Sequence, residues 1–110
     1  MQDEVVLLYT TWPEAETARR FAGHAVSQGL CACANLMAAH EAIYRWEDEI
    51  EHASEHVMIL KTTRAASGAL IEAMKAAHPH EEPALVGLRA DATASSAGFL
   101  AWVREQSPGI

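Results

Sequence analysis

No apolar run in the 110-residue chain approaches the roughly 18 residues that a membrane-spanning helix needs. Basic residues are also scarce, with Lys and Arg numbering 8 against 15 Asp and Glu, for a formal charge of -7. A surface that neutralises nucleic-acid phosphates needs a basic stripe, and docking on anionic lipid needs the same. Neither a nucleic acid nor a membrane is therefore an expected partner. There are only two cysteines, Cys31 and Cys33, too few for a disulfide framework. The opening MQDEVVLLYT shows no basic segment leading into an apolar one with a small-residue cleavage site. A reducing, cytoplasmic setting is the expectation, with both cysteines as thiols. The sequence has no G-x-S-x-G elbow, P-loop, Rossmann fingerprint, HExxH or paired CxxC. No histidine stands beside Cys33 to make it a nucleophile, so the chain reads as a binder and not an enzyme.

The length predicts one domain, residues 1–110. Half of the residues count as hydrophobic, but alanine alone supplies 22 of them. A domain of this size buries only about two thirds of its unfolded surface, and a partner that buries more would stabilise it.

VVLLY (5–9) reads as a buried strand. The stretch from Thr11 to Gly29 reads as a helix. Thr11 and Glu14 have capping-box spacing, Pro13 suits the first turn, and Gly29 suits a left-handed C-terminal residue. Residues 30–44 and 56–63 predict two strands, and the polar RWEDEIEHASE between them holds the turn of a long hairpin. No Asn-Gly or Asp-Gly marks that turn. Thr63 or Ser67 opens a second helix that ends at His78-Pro79, because the residue before proline leaves the helical region. ALVGLRA (84–90) is a fourth strand, and SSAGFLAWVREQ a third helix whose Phe99, Leu100, Trp102 and Val103 should dock on the body.

The order is βαββαβ with a terminal helix, an α+β class. Crossovers of one hand place both long helices on one face of the sheet. Yet the strands offer apolar groups to both faces, where a solvated face would alternate with polar residues. Further copies of the same sheet are the expected cover.

Five stretches then carry a family resemblance: CACANL (31–36), IYRWEDEIE (43–51), MILKTT (58–63), HPHEEP (78–83) and FLAWVRE (99–105). In order and spacing the chain resembles CutA, the divalent cation tolerance proteins, over nearly its whole length. The resemblance implies a ferredoxin-like βαββαβ sandwich with an extra C-terminal helix. It also implies a tight homotrimer whose long hairpins wrap a neighbour, and a link to copper and other divalent cations, with no metal required for folding. An alternative with the same build is a trimeric small-molecule sensor resembling the PII proteins, which bind nucleotides between subunits. The sequence offers neither a glycine-rich loop nor a lysine-arginine cluster to hold phosphate. A third reading is a structural scaffold without a dedicated ligand.

HPHEEP is the leading metal candidate, through His78, His80 and Glu81, since imidazole and carboxylate suit copper or zinc. The plain alternative is a stiff polar turn, with His78 capping the last helical carbonyls, Glu81 bonding backbone, and His80 and Glu82 in water. The family pattern is usually His-Pro-Tyr-Glu-x-Pro, so His80 stands where a tyrosine is usual. Members credited with copper binding also use a cysteine near the end of the first strand and a histidine before the loop; the matching positions are Thr10 and Ala77. His80 is the expected substitute donor. A soft-metal alternative is Cys31 with Cys33, which would share one strand face, against the plain reading of small buried hydrophobes. Trp46 and Arg45 read as interface anchors. Lys61 on a buried strand needs a partner. Together Lys61, Trp46, Glu47 and Thr10 are candidates for an inter-subunit cleft of the kind the resemblance implies. His52 and His56 read as exposed on the hairpin.

Overall fold

The computed structural model describes residues 3–109. Eight elements follow in order: β1 (Val5–Trp12), α1 (Ala15–Ser27), β2 (Cys33–Trp46), β3 (Glu49–Thr63), α2 (Arg64–Ala77), β4 (Leu85–Arg89), a 3-10 turn (Ala92–Ala94) and α3 (Ala97–Gln106). The strands form one antiparallel sheet in the order β2-β3-β1-β4.

α1 and α2 lie on one face of this sheet. Leu8 and Trp12 of β1 and Met58 and Leu60 of β3 meet Ala18, Phe21 and Ala25 of α1 and Leu70 and Met74 of α2 in a single buried cluster. Small alanines at the contacts let the helices approach closely, and burying each large side chain contributes about 1.5–3 kcal/mol. Trp12 is fully buried and stacks on Phe21, with ring centroids 5.6 Å apart.

Strand alternation sends the intervening residues to the other face. Val5 meets Ala32, Leu100 and Val103 there, so α3 covers one end of that face. Opposite partners in the ladder share a face, which puts Leu7, Tyr9, Ile59, Lys61, Cys33, Val86 and Leu88 on this side. Tyr9, Val86 and Leu88 are exposed in the single chain. Phe99 and Trp102, expected to dock, are exposed too, because only Leu100 and Val103 face the sheet.

The predicted hairpin is longer than its apolar pattern suggested. β2 runs to Trp46 and β3 starts at Glu49, so most of the polar RWEDEIEHASE is strand. Its turn is Glu47-Asp48, with φ of 50° and 66°. Positive φ at both central residues is the mark of a type I′ two-residue turn, and here two acidic residues supply it in place of Asn-Gly. A register shift between Leu36 and Ala39 marks a bulge, beyond which the faces of β2 exchange. The ribbon beyond it carries exposed Ile43, Tyr44, Trp46 and Ile50.

The helix signals divide. Thr63 caps α2 as expected, its hydroxyl accepting from the Ala66 N–H at 3.2 Å. Thr11 does not cap α1: it belongs to β1, Glu14 is the N-cap without a side-chain bond, and Pro13 lies outside the first turn. The ladder to β3 claims Thr11 first, through its pairing with Val57. Gly29 ends α1 at φ 71°, and a Cβ there would meet Pro108 at 3.1 Å. No described helix is long and apolar enough to cross a membrane.

Candidate functional site

Pro79 holds His78 in an extended conformation, φ -73° and ψ 139°, which ends α2 and turns the ring inward. The imidazole tilts against Trp12 with centroids 4.4 Å apart. Nε2 lies 2.8 Å from the Thr11 carbonyl oxygen, an acceptor, and the His80 backbone N–H donates to Nδ1 at 3.0 Å. This pattern assigns the proton to Nε2 and the lone pair to Nδ1. Burial pushes His78 below its ordinary value of 6.5, and the Thr11 carbonyl and Glu55 oppose that shift while His80 adds to it. The ring is neutral at neutral pH. It therefore ties the loop to β1, where the plain reading had it capping helical carbonyls.

A histidine anchored through one N–H to a backbone carbonyl has the arrangement common among metal ligands. Its lone pair, however, already accepts the His80 amide. His80 is exposed, its ring 5.1 Å from that of His78, and Glu81 and Glu82 are exposed beside it. Among the described residues no three His, Cys, Asp or Glu side chains group closely enough to hold a metal ion. One chain thus offers an exposed imidazole, neighbouring carboxylates and a conditional Nδ1, which is an incomplete donor set.

The cleft candidates do not converge within one chain. Thr10 is fully buried; its hydroxyl donates to the Met58 carbonyl at 2.7 Å and accepts from Trp12 Nε1 at 2.9 Å. It braces the core and presents nothing to a ligand. Trp46 and Glu47 stand at the hairpin tip, Trp46 61% exposed. Lys61 projects from the face opposite His78's core, where its ammonium sits 5.4 Å from the centre of the Phe99 ring. That aromatic face is the partner the sequence demanded. His52 lies exposed, 3.1 Å from Glu41, whereas His56 is half-buried with Nδ1 3.1 Å from the Met37 carbonyl oxygen.

The two cysteines do not share a strand face. Cys31 precedes β2 and is fully buried in the helix-side core, while Cys33 opens β2 opposite Lys61 on the other side. The strand expected from Leu30 begins three residues later, so the alternation that would align the sulfurs is absent. Burial pushes the Cys31 thiol up to about 12, with the Cys33 thiol adding to the rise. A thiol held protonated is a poor metal ligand.

Sequence reasoning missed one cluster altogether. Glu4 accepts from Arg64 Nε at 2.8 Å through one oxygen and from Arg89 through the other, at 2.7 and 2.8 Å. Arg64, then Arg89, hold this carboxyl below its ordinary range. Arg104 Nε donates to the Asp3 carbonyl at 2.8 Å beside them. These residues are scattered along the chain, so no local pattern announces them; only the antiparallel closure of β1 on β3 and β4 gathers them.

Comparison with known proteins matches the described fold. The model of the CutA1 divalent ion tolerance protein family matches residues 6–106. The divalent-cation tolerance protein CutA of Citrobacter koseri is 35% identical over 91% of this chain and 85% of its own length. The chain spans about half, 47%, of the chloroplastic rice protein CutA 1, at 34% identity over 76% of this chain. Among solved structures, CutA1 of Ehrlichia chaffeensis superposes with a TM-score of 0.87 at 33% identity, covering 97% of this chain and 98% of that one. The divalent cation tolerance protein of Thermus thermophilus gives 0.84 at 36% identity, covering 96% and 99%. The α+β fold of this chain superposes on those of the solved structures over nearly its whole length, and the chain belongs to the CutA1 divalent ion tolerance family.

Proposed function

We propose that this protein is a cytoplasmic homotrimer of ferredoxin-like subunits that binds divalent cations, copper foremost, at clefts formed where copies meet, and catalyses no reaction. The observation that carries the proposal is the second sheet face. Tyr9, Val86, Leu88, Phe99 and Trp102 stand exposed there, and the hairpin adds Ile43, Tyr44, Trp46 and Ile50. So large a set of exposed apolar groups is characteristic of an interaction surface, and a two-stranded ribbon is marginal without packing. Three copies that wrap one another bury both. The strand order β2-β3-β1-β4 with two helices on one face supports the ferredoxin-like reading.

The incomplete donor set argues in the same direction. His80 and Glu81 are exposed donors, and His78 Nδ1 becomes a third if the His80 amide swings away. Donors from a neighbouring copy complete the shell, and a bound cation acts there as cargo. The core is packed and hydrogen-bonded by the chain's own groups, which supports folding without metal.

The test is a Cu(II) titration of wild type and His80→Ala, with melting followed alongside, because a ligand bound only by the folded state raises the melting temperature. Saturable binding that raises the melting point and weakens at least tenfold in His80→Ala is the expected result. Equal, loosely stoichiometric binding by both proteins defeats the site.

A further inference from the structure

The arginine cluster borders an open cavity of about 600 Å³ that the metal-binding reading does not use. Its volume lies within the range of small-molecule sites. Arg89 and Arg104 line it with Asp3, Glu4 and Asp91, and Val5, Ala90 and Leu100 form apolar wall.

The formal charges of the cluster balance once Arg64 is counted, so the supply of hydrogen-bond donors decides its chemistry. Each carboxylate is already engaged. Asp3 accepts from the Ala65 N–H at 3.2 Å, Asp91 from the Thr93 N–H and hydroxyl at 2.9 and 2.8 Å, and Glu4 from two guanidiniums. The guanidiniums are not equally engaged. Arg64 and Arg89 share one carboxylate, and Arg104 reaches only a backbone carbonyl, with no carboxylate partner among the described residues. A guanidinium carries five N–H donors in a planar fork. The terminal amines of Arg104 and one of Arg89 therefore remain for a planar or tetrahedral oxyanion, next to a wall that suits an apolar body.

We infer that this cavity binds a small organic oxyanion, a carboxylate or phosphate monoester with an apolar body, through the guanidiniums of Arg104 and Arg89. No run of lysines and arginines marks an anion site in the sequence; the fold gathers Arg64, Arg89 and Arg104 from distant positions. Glu4, itself part of the cavity wall, is the internal counter-ion of Arg89.

Amide NMR of the full chain in EDTA tests this, since removing metal separates the inference from the copper reading. Phenyl phosphate and benzoate are titrated separately at constant ionic strength. The expected result is a saturable shift confined to residues 3–5, 89–92 and 100–104 with at least one probe, and which probe produces it identifies the headgroup. Arg104→Gln removes a charge-assisted donor and weakens binding tenfold or more. Arg89→Gln does so too, and its exposed side chain makes it the variant of choice if Arg104→Gln fails to fold. Arg19→Gln, on the surface of α1, leaves binding unchanged. No shift with either probe, non-saturating or dispersed shifts, or equal binding by the foldable arginine variant and wild type overturns the inference.

Discussion

Replacing Thr10 with valine separates a core brace from a cleft residue. The side chains are nearly isosteric, so packing against Trp12 and Met58 is retained and only the hydroxyl is lost. That hydroxyl holds two partners, the Met58 carbonyl at 2.7 Å and Trp12 Nε1 at 2.9 Å, all fully buried. In Thr10→Val the indole N–H is left buried without an acceptor, which costs about 1–3 kcal/mol. Taking about 2 kcal/mol, and about 4 °C per kcal/mol for a chain of this size, the melting temperature falls by about 8 °C. Trp12→Phe removes the donor instead and leaves a gap of about 40 Å³, worth about 1 kcal/mol at about 24 cal/mol per Å³. The double variant orphans no N–H, so it costs less than the sum of the single variants by about 1–2 kcal/mol. Urea unfolding at one fixed protein concentration measures all four proteins. If Thr10→Val unfolds within about 0.5 kcal/mol of wild type, or the two changes simply add, the brace is not the role of Thr10.

Three further outcomes follow from the same geometry. His78 is held below its ordinary value of 6.5 chiefly by burial, so its contribution is complete above that pH and is lost as pH falls through the lower folded value; the stability gap between wild type and His78→Gln should shrink from pH 7 to pH 5, and a constant gap sinks the assignment. Glu4 and Asp91 are also depressed, from 4.5 and 3.8, but they act in a lower pH window and do not mask this effect. With its pKa pushed up to about 12, buried Cys31 should resist thiol reagents, so a native titration modifies no more than one thiol per chain and denaturant releases the second; two fast thiols contradict this. Glu47→Asn with Asp48→Gly relieves positive φ at both turn positions and should stabilise by about 1 kcal/mol in urea unfolding, whereas a loss would show the turn is not of the assigned type.

The parts of the fold that were legible are those where local chemistry and tertiary packing agree. Val5 to Tyr9, the Gly29 terminus and the proline stop at His78 each state one preference, and the fold keeps it; of the two helix starts offered, Thr63 and Ser67, it takes Thr63. Thr11 states two, cap and strand, and the ladder takes it. The hairpin exceeds its sequence pattern because its outer half mixes apolar and charged side chains on both faces; exposed Glu49, Glu51 and His52 look like loop until pairing with Trp46, Tyr44 and Ile43 is known. The spacing of Cys31 and Cys33 would align the sulfurs only on a strand, and the strand starts at Cys33. At the loop, residue types pointed to His78 and His80, but the tautomer depends on Thr11, 67 positions away in the chain, and no spacing rule reaches that far.

The assembly carries the largest share of the account, because both the apolar face and the missing metal donors are referred to it. Equilibrium sedimentation at micromolar concentration tests it most directly. The account predicts a single species of about three times the 11.9 kDa chain. A stable 11.9 kDa monomer, unchanged on concentration, contradicts it.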